Sequence, residues 1–276
     1  MSIQYSEINM EEIENRFGGV ARLYGIEGLK KLLNSHVLIV GLGGVGSWSA
    51  EALARTAVGK ITLVDLDDIC ITNTNRQLPA LLGNYGKLKI HALKERILQI
   101  NPYCDVITIE DFFTEKSAEA ILDIKYDFVI DAIDSLKNKC LLTSLCYQKK
   151  LPMIITGGAA GKTDPSQIKL CDLGESLNDS LLFRVRKKLR QDFDFPNAAK
   201  STIHKRQKFN IMCVYSPEDA KYPTPEGGVC LTPDPETNLK MDCASGMGSV
   251  CHITSMFGMI ASGYAINTIA HPPKKS

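Results

Sequence analysis

The stretch Val37-Leu38-Ile39-Val40-Gly41-Leu42-Gly43-Gly44-Val45-Gly46 constrains the fold more than any other part of the chain. Four apolar residues in a row read as a short strand buried on both faces, and a glycine-rich turn follows. A helix is then expected from Ser47 to about Thr56, with small residues at Ala50, Ala52 and Ala54. Gly41 permits a tight turn, Gly43 lets the backbone approach an anion, and Gly46 lets helix and strand pack closely. The spacing Gly41-x-Gly43-x-x-Gly46 places backbone N–H groups at a helix N-terminus, a ready seat for phosphate. It points to a nucleotide and leaves the chemistry open.

The segments after the turn repeat its logic. Ile61 to Val64 reads as the next strand, with Asp65 at its carboxyl end, where an acid binds ribose hydroxyls. A polar run then extends from Asp65 through Asp67 to Gln77. Asn73, Arg76 and Gln77 in it read as a ligand clamp rather than a capped turn, because an arginine and two amides beside a phosphate site suit triphosphate recognition. A helix is expected from about Lys87 to Ile100. Lys89 sits in its first turn, where the helix dipole disfavours a cation; a ligand-facing role and a solvated side chain are both open. Strand 106–109, helix 115–124, the apolar strand Phe128 to Asp134, helix 139–149 and strand Met153 to Thr156 continue the alternation. It predicts an α/β fold: a doubly wound, Rossmann-like, mostly parallel sheet, extended by antiparallel strands in the C-terminal half. Asp134 then stands at a strand's carboxyl end.

The flanks are less patterned. Residues 4–16 and 20–33 read as two helical stretches, with Arg16 and Arg22 bracketing Gly18-Gly19, and Gly59 suits a helix end. The run Thr156 to Thr163 imitates a P-loop. It lacks the first glycine, and Asp164-Pro165 blocks the helix that must follow, so 167–171 reads as a strand instead. Ile211 to Tyr215 is a further strand, and 216–242 is a long loop rich in proline and glycine. Residues 247–270 are apolar enough to raise a membrane span, yet polar interruptions favour a helix packed on the sheet or on a second subunit. One domain of residues 1–276 is expected: N-terminal helices 1–34, a nucleotide-binding core 35–160, and a substrate-facing extension with a C-terminal helix 161–276.

Charge and cysteine add exclusions. The net charge of +1 conceals a basic segment, 184–208, with nine lysines and arginines against Asp192 and Asp194. Leu181, Leu182, Val185 and Leu189 form an apolar stripe, so 180–190 is an amphipathic helix with a basic outer face. That face is either solvated surface or an electrostatic footprint for nucleic acid. Nine cysteines form no C-x-x-C pair, which argues against a tetrahedral zinc site. An acidic, polar start and scattered thiols lead us to expect a cytoplasmic protein without a signal peptide. Cys213, Cys230 and Cys243 read as inert, since no paired base is in view.

Taken together, Gly41-x-Gly43-Gly44-x-Gly46, Asp65-x-Asp67, Asn73-x-x-Arg76-Gln77, Lys89 and Asp134 resemble the ubiquitin-activating-enzyme-like, ATP-dependent adenylating family of the ThiF and MoeB type. The resemblance runs from Arg16 to about Gly158. Within that family, Arg16 to Gly25 and Arg184 to Arg190 are most similar to the tRNA threonylcarbamoyladenosine dehydratases, and the missing cysteine pairs agree. The resemblance implies ATP and Mg2+. Gly41, Gly43, Gly44 and Gly46 would hold the phosphates and Asp65, with Asp67, the ribose. Asn73, Arg76, Gln77 and Lys89 would face the triphosphate, and Asp134 would position magnesium. Arg22 would reach the triphosphate of a neighbouring subunit in a homodimer. It implies attack of a threonyl carboxylate on the α-phosphate, then ring closure with loss of AMP, a net dehydration beside the tRNA anticodon. Arg184, Arg186, Lys187, Lys188, Arg190, Lys205 and Arg206 would grip the tRNA, and docking of a sulfur-relay protein is left open. Two other readings stand beside this one: adenylation of the C-terminus of a ubiquitin-like sulfur carrier, and a non-catalytic, nucleotide-gated RNA-binding protein. An NAD oxidoreductase fits poorly, since nothing past Asp65 suits it.

Overall fold

The computed structural model describes residues 10–195, 208–232 and 247–271. Its centre is a seven-stranded sheet. The strands are β1 (His36–Val40), β2 (Lys60–Val64), β3 (Asp105–Ile109), β4 (Phe128–Asp131), β5 (Met153–Thr156), β6 (Lys169–Asp172) and β7 (Met212–Tyr215). Their spatial order is β3-β2-β1-β4-β5-β7-β6. All pairings are parallel except β6 with β7. A two-residue hairpin, β8 (Tyr222–Pro223) with β9 (Val229–Cys230), stands apart within the proline-rich loop.

Helices cover both faces, so the inner strands must be apolar on both sides. β1 shows why its sequence has no polar alternation. Val37 and Ile39 enter one core, with α2 (Gly46–Arg55), α3 (Lys89–Ile100) and α7 (Cys251–Ala270). Leu38 and Val40 enter the other, with α4 (Ala118–Leu122), α5 (Leu136–Gln148) and α6 (Ser180–Asp192). Chain order outward from β1 reverses between β2 and β4, the arrangement that opens a crevice at the carboxyl ends of the strands.

The glycine turn is tight for two separate reasons. Gly41 has φ 86°, and a Cβ there would lie 2.8 Å from the carbonyl oxygen of Ala132. A Cβ on Gly46 would lie 1.9 Å from the Gly41 carbonyl oxygen, so α2 can start this close to β1 only at a glycine. A third close approach has no counterpart among the sequence expectations. Gly258 on α7 packs against the Val45 carbonyl, and Ser49 Oγ donates to the Gly258 carbonyl at 3.1 Å. Within the apolar run 247–270, residues 251–270 are thus a helix laid across α2 and the sheet. No described helix is long and apolar enough to cross a membrane.

Several expected boundaries move. The N-terminal residues form α1 (Met10–Leu33), which passes helically through Gly18-Gly19 and breaks instead at Gly25, φ 75° and ψ 165°. Ile13, Phe17 and Leu29 are buried in one small cluster with Ala57, which holds the two halves to the same body. Residues 4–9 lie outside the described part. Gly59 does not end a helix: Ala57 takes the left-handed conformation, and Gly59 is required because a Cβ would meet the Leu33 carbonyl at 1.7 Å. The strand expected to reach Asp134 ends at Asp131, and Asp134 belongs to the following loop.

Candidate active site

A cleft of about 1820 Å³ opens over the carboxyl ends of β1, β2, β4 and β5. At one end lie Gly41, Gly43, Gly44, Asp65, Asp67, Asn73, Arg76, Gln77, Lys89 and Asp134, ten of the residues singled out from the sequence. Arg22 is exposed on α1 and does not line the cleft, nor does Gly46, whose place is beneath the turn.

Asp65 fixes the turn as well as facing the cleft. Its carboxylate accepts from Leu42 N–H at 2.6 Å and from Asp67 N–H at 2.8 Å. Burial raises its pKa, against the pull of Lys89 and of these two N–H groups. The Lys89 ammonium, nearly buried, pairs with Asp67 at 2.7 Å, so the cation in the first turn of α3 is held rather than solvated. Asn73 is buried, and its side-chain oxygen caps Cys70 N–H at 3.0 Å, which makes the polar run a local turn as well as a cleft wall. Arg76, in the cleft lining, is held by its own turn: Nη1 donates to the Thr72 carbonyl at 2.8 Å and to Asn75 Oδ1 at 2.9 Å. The buried Gln77 side-chain oxygen has no hydrogen-bond partner, while its amide nitrogen lies on the Gly43 side. A buried polar atom in that state calls for a ligand or water.

Asp134 is exposed, and its loop is set from below. Asp131 and Lys139 form a wholly buried ion pair at 2.8 Å. Asp131 Oδ1 also accepts from Ile133 N–H at 2.9 Å, and the Asp131 carbonyl accepts from Thr156 Oγ1 at 3.1 Å. Burial pushes the Asp131 carboxyl upward, with Lys139 opposing. The sequence gives no sign of this pair, since Asp131 is one apolar-strand position and Lys139 one lysine in a helix.

The other end of the cleft is built from segments far apart in the chain. Lys162, nearly buried, donates to the Glu218 carbonyl. Burial lowers its pKa, while Asp179, Glu218 and Asp219 oppose. Asp179 caps α6 by accepting from Leu182 N–H at 2.8 Å, and also accepts from Gly158 N–H at 3.0 Å. Glu218 accepts from the N–H groups of Thr163 and Asp164, both at 2.9 Å. The polar run Asn178-Asp179-Ser180 before Leu181-Leu182 was the available signal for Asp179; Lys162 was visible only inside the rejected P-loop imitation.

The basic helix divides. Arg184 and Arg186 line the cleft; Lys187, Lys188 and Arg190 do not. Arg186 donates to the Leu173 carbonyl and to Ser176 Oγ, Lys188 pairs with Asp192, and Arg190 lies over the Phe209 ring at 5.0 Å. Lys205 and Arg206 lie outside the described residues. Cys213 is buried and faces Cys171 across β6 and β7, Cys230 bonds backbone carbonyls, and Cys243 lies outside the described residues.

Among known proteins, residues 19–275 match the ThiF family. The chain is 44% identical over 252 residues to the tRNA threonylcarbamoyladenosine dehydratase of Escherichia coli (strain K12), covering 91% of this chain and 92% of that one. It is 42% identical to the protein of the same name from Haemophilus influenzae, covering 94% and 95%. A crystal structure of the E. coli tRNA N6-threonylcarbamoyladenosine dehydratase in complex with ATP superposes with a TM-score of 0.82 at 38% identity, over 97% of both chains. The glycine turn, the cleft above it and these likenesses along nearly the whole chain agree, and the protein belongs to the ThiF family.

Proposed function

We propose that this protein is a cytoplasmic, ATP-dependent tRNA threonylcarbamoyladenosine dehydratase acting as a single adenylating domain. The observation that carries the reading is one continuous cleft. It joins a phosphate-binding turn with Lys89 and Arg76 at one end to Arg184 and Arg186 of a basic helix at the other. A nucleoside triphosphate fits the first end: Gln77 has an unpartnered buried oxygen, Asp65 is placed for the ribose, and the first turn of α2 supplies N–H groups. Mg2+ fits the exposed carboxylate of Asp134, since that ion takes one or two carboxylates and fills its shell with phosphate oxygens and water.

The chemistry follows from a carboxylate's reluctance to lose oxide. A carboxylate oxygen of the threonyl group attacks the α-phosphorus, and pyrophosphate leaves with its bonding pair. An internal nucleophile of the same modified nucleoside then attacks the acyl carbon, and AMP departs. The sum is loss of one water from the nucleoside. Arg76 and Lys89 stabilise charge that develops on the phosphates. Asp134 would hold the Mg2+, which would supply further neutralisation of the phosphates. No step needs a cysteine. Arg22, exposed and away from its own cleft, is assigned to the partner's site in a homodimer.

The test is turnover of ATP labelled at the α-phosphate, with and without threonylcarbamoylated tRNA. AMP and pyrophosphate formed only with modified tRNA, with a nucleoside lighter by one water, support the reading. Adenylate exchange with a small Gly-Gly-ended protein instead moves the assignment to sulfur-carrier adenylation, and ATP binding without AMP moves it to a non-catalytic RNA-binding role.

A further inference from the structure

Phe183 stands at the mouth of the cleft, in the first turn of α6, with 61% of its surface exposed. Its neighbours Leu181, Leu182 and Val185 are buried, so the helix is anchored and this one large apolar side chain is turned outward. Arg184 is beside it, its Nε donating back to the Ser180 carbonyl at 3.3 Å, which holds the guanidinium along the same turn. Tyr222 and Leu231 line the same cleft. A bare aromatic face beside fixed cations, at the entrance to a phosphate-binding cleft, has the chemistry of a seat for an unstacked nucleobase: π-face for the base, positive charge for its backbone.

We infer that Phe183 is the platform on which a nucleobase of the RNA substrate, flanking the reacting adenosine, stacks. The inference rests on the proposed function and adds to it. In that reaction the carboxylate is tethered to the exocyclic nitrogen of an adenine, so the adenine itself must enter the cleft to bring its carboxylate to the α-phosphate. A base cannot do this from within a stack, and the neighbour it leaves loses a stacking partner. Phe183 replaces that partner at the mouth while the adenosine goes in.

The experiment compares F183A, F183L and F183W with the parent enzyme, by steady-state kinetics with threonylcarbamoylated tRNA at several salt concentrations. F183A is expected to raise KM for the tRNA about tenfold, with kcat and KM for ATP unchanged. F183W restores the parent KM, and F183L does not, because stacking needs a π-face. The salt slope stays that of the parent in all three, since none of them removes a cation. An F183A enzyme with the parent KM overturns the inference, and so does an F183L enzyme that matches the parent. A parent enzyme that forms no AMP with modified tRNA overturns the proposed function first and this inference with it, which distinguishes the two failures.

Discussion

The glycine-turn end of the cleft is made by residues 41–89 and one loop at 132–135, with the Ser249 carbonyl accepting from Asn75 at 2.7 Å, whereas the α6 end draws on 157–162, 178–186, 218–222 and 247–248. At the first end most partners lie within the one stretch 41–89: Asp65 holds Asp67 and Leu42, Asn73 holds Cys70, Arg76 holds Thr72, and Lys89 reaches back to Asp67. At the second, Lys162 meets Glu218, Asp179 meets Gly158, and Gly161 N–H donates to the Gly248 carbonyl at 2.7 Å. Local assembly suits the part proposed to bind one triphosphate at every turnover. Assembly from distant loops leaves the other end free to follow a substrate. The sharpest way to break this division is Asp134→Ala. Formation of AMP is expected to fall at least about 100-fold, the scale of losing one charge-stabilising group, while tRNA affinity and the unfolding transition stay those of the parent. Unchanged turnover removes Asp134 from the site.

The next expected effect lies beneath the nucleotide end. Lys139→Met leaves the Asp131 carboxylate buried without its cation. Breaking such a pair costs about 3–5 kcal/mol, to be read in urea unfolding. Because the pair sets the loop bearing Asp134, turnover at saturating ATP falls as well. The double variant Asp131→Leu with Lys139→Met, which removes both charges, regains most of the stability. A single variant as stable as the parent would show that the loop is held without the pair.

At the α6 end the effects are smaller and fall on the RNA. Arg184, Lys187 and Lys188 changed together to Ala are expected to raise KM for tRNA and to lower the salt slope, by about one for each phosphate that is no longer neutralised. KM for ATP stays fixed. Arg186→Ala alone behaves differently, since its guanidinium is already bonded to Leu173 and Ser176, and loses stability before it loses salt dependence. Salt slopes that do not move return the outer face of α6 to plain solvated surface.

The same division governs what could be read from the chain. The turn, the acid Asp65 and the polar run are legible as cleft residues because their pattern is periodic or contiguous: a strand, then glycines, then an acid at the next strand end. Gly258 was not legible, since nothing local distinguishes a glycine that meets a neighbouring helix from one that does not. Lys139 hides in the same way, as a lysine looks solvated until the strand across from it supplies Asp131. Gly18-Gly19 misled in the opposite sense: two glycines suggest a break, but the burial of Ile13, Phe17 and Leu29 on one side keeps the helix intact through them, and the break waits for Gly25.

The smallest expected effect is a pH dependence confined to the α6 end. Burial alone would raise the Glu218 carboxyl, but the N–H groups of Asp164 and Thr163, the Thr163 hydroxyl and Lys221 outweigh it and hold the pKa at about 2, against an ordinary 4.5. A depressed carboxylate binds fewer protons folded than unfolded between those values, so its stabilisation is complete above about pH 4.5 and is lost as pH falls toward 2. Glu218→Gln keeps an acceptor for the two N–H groups and cannot titrate. The parent is therefore expected to have the higher thermal midpoint at about pH 6, and the gap to narrow steadily between about pH 5 and pH 3. Asp65, buried at the other end with its pKa raised, cannot mimic this: its contribution runs the opposite way with pH and is present in both proteins. A gap that stays constant on acidification would mean that the loop at 216–221 is joined to residues 163–164 by shape, and that the carboxylate's charge adds nothing to the join.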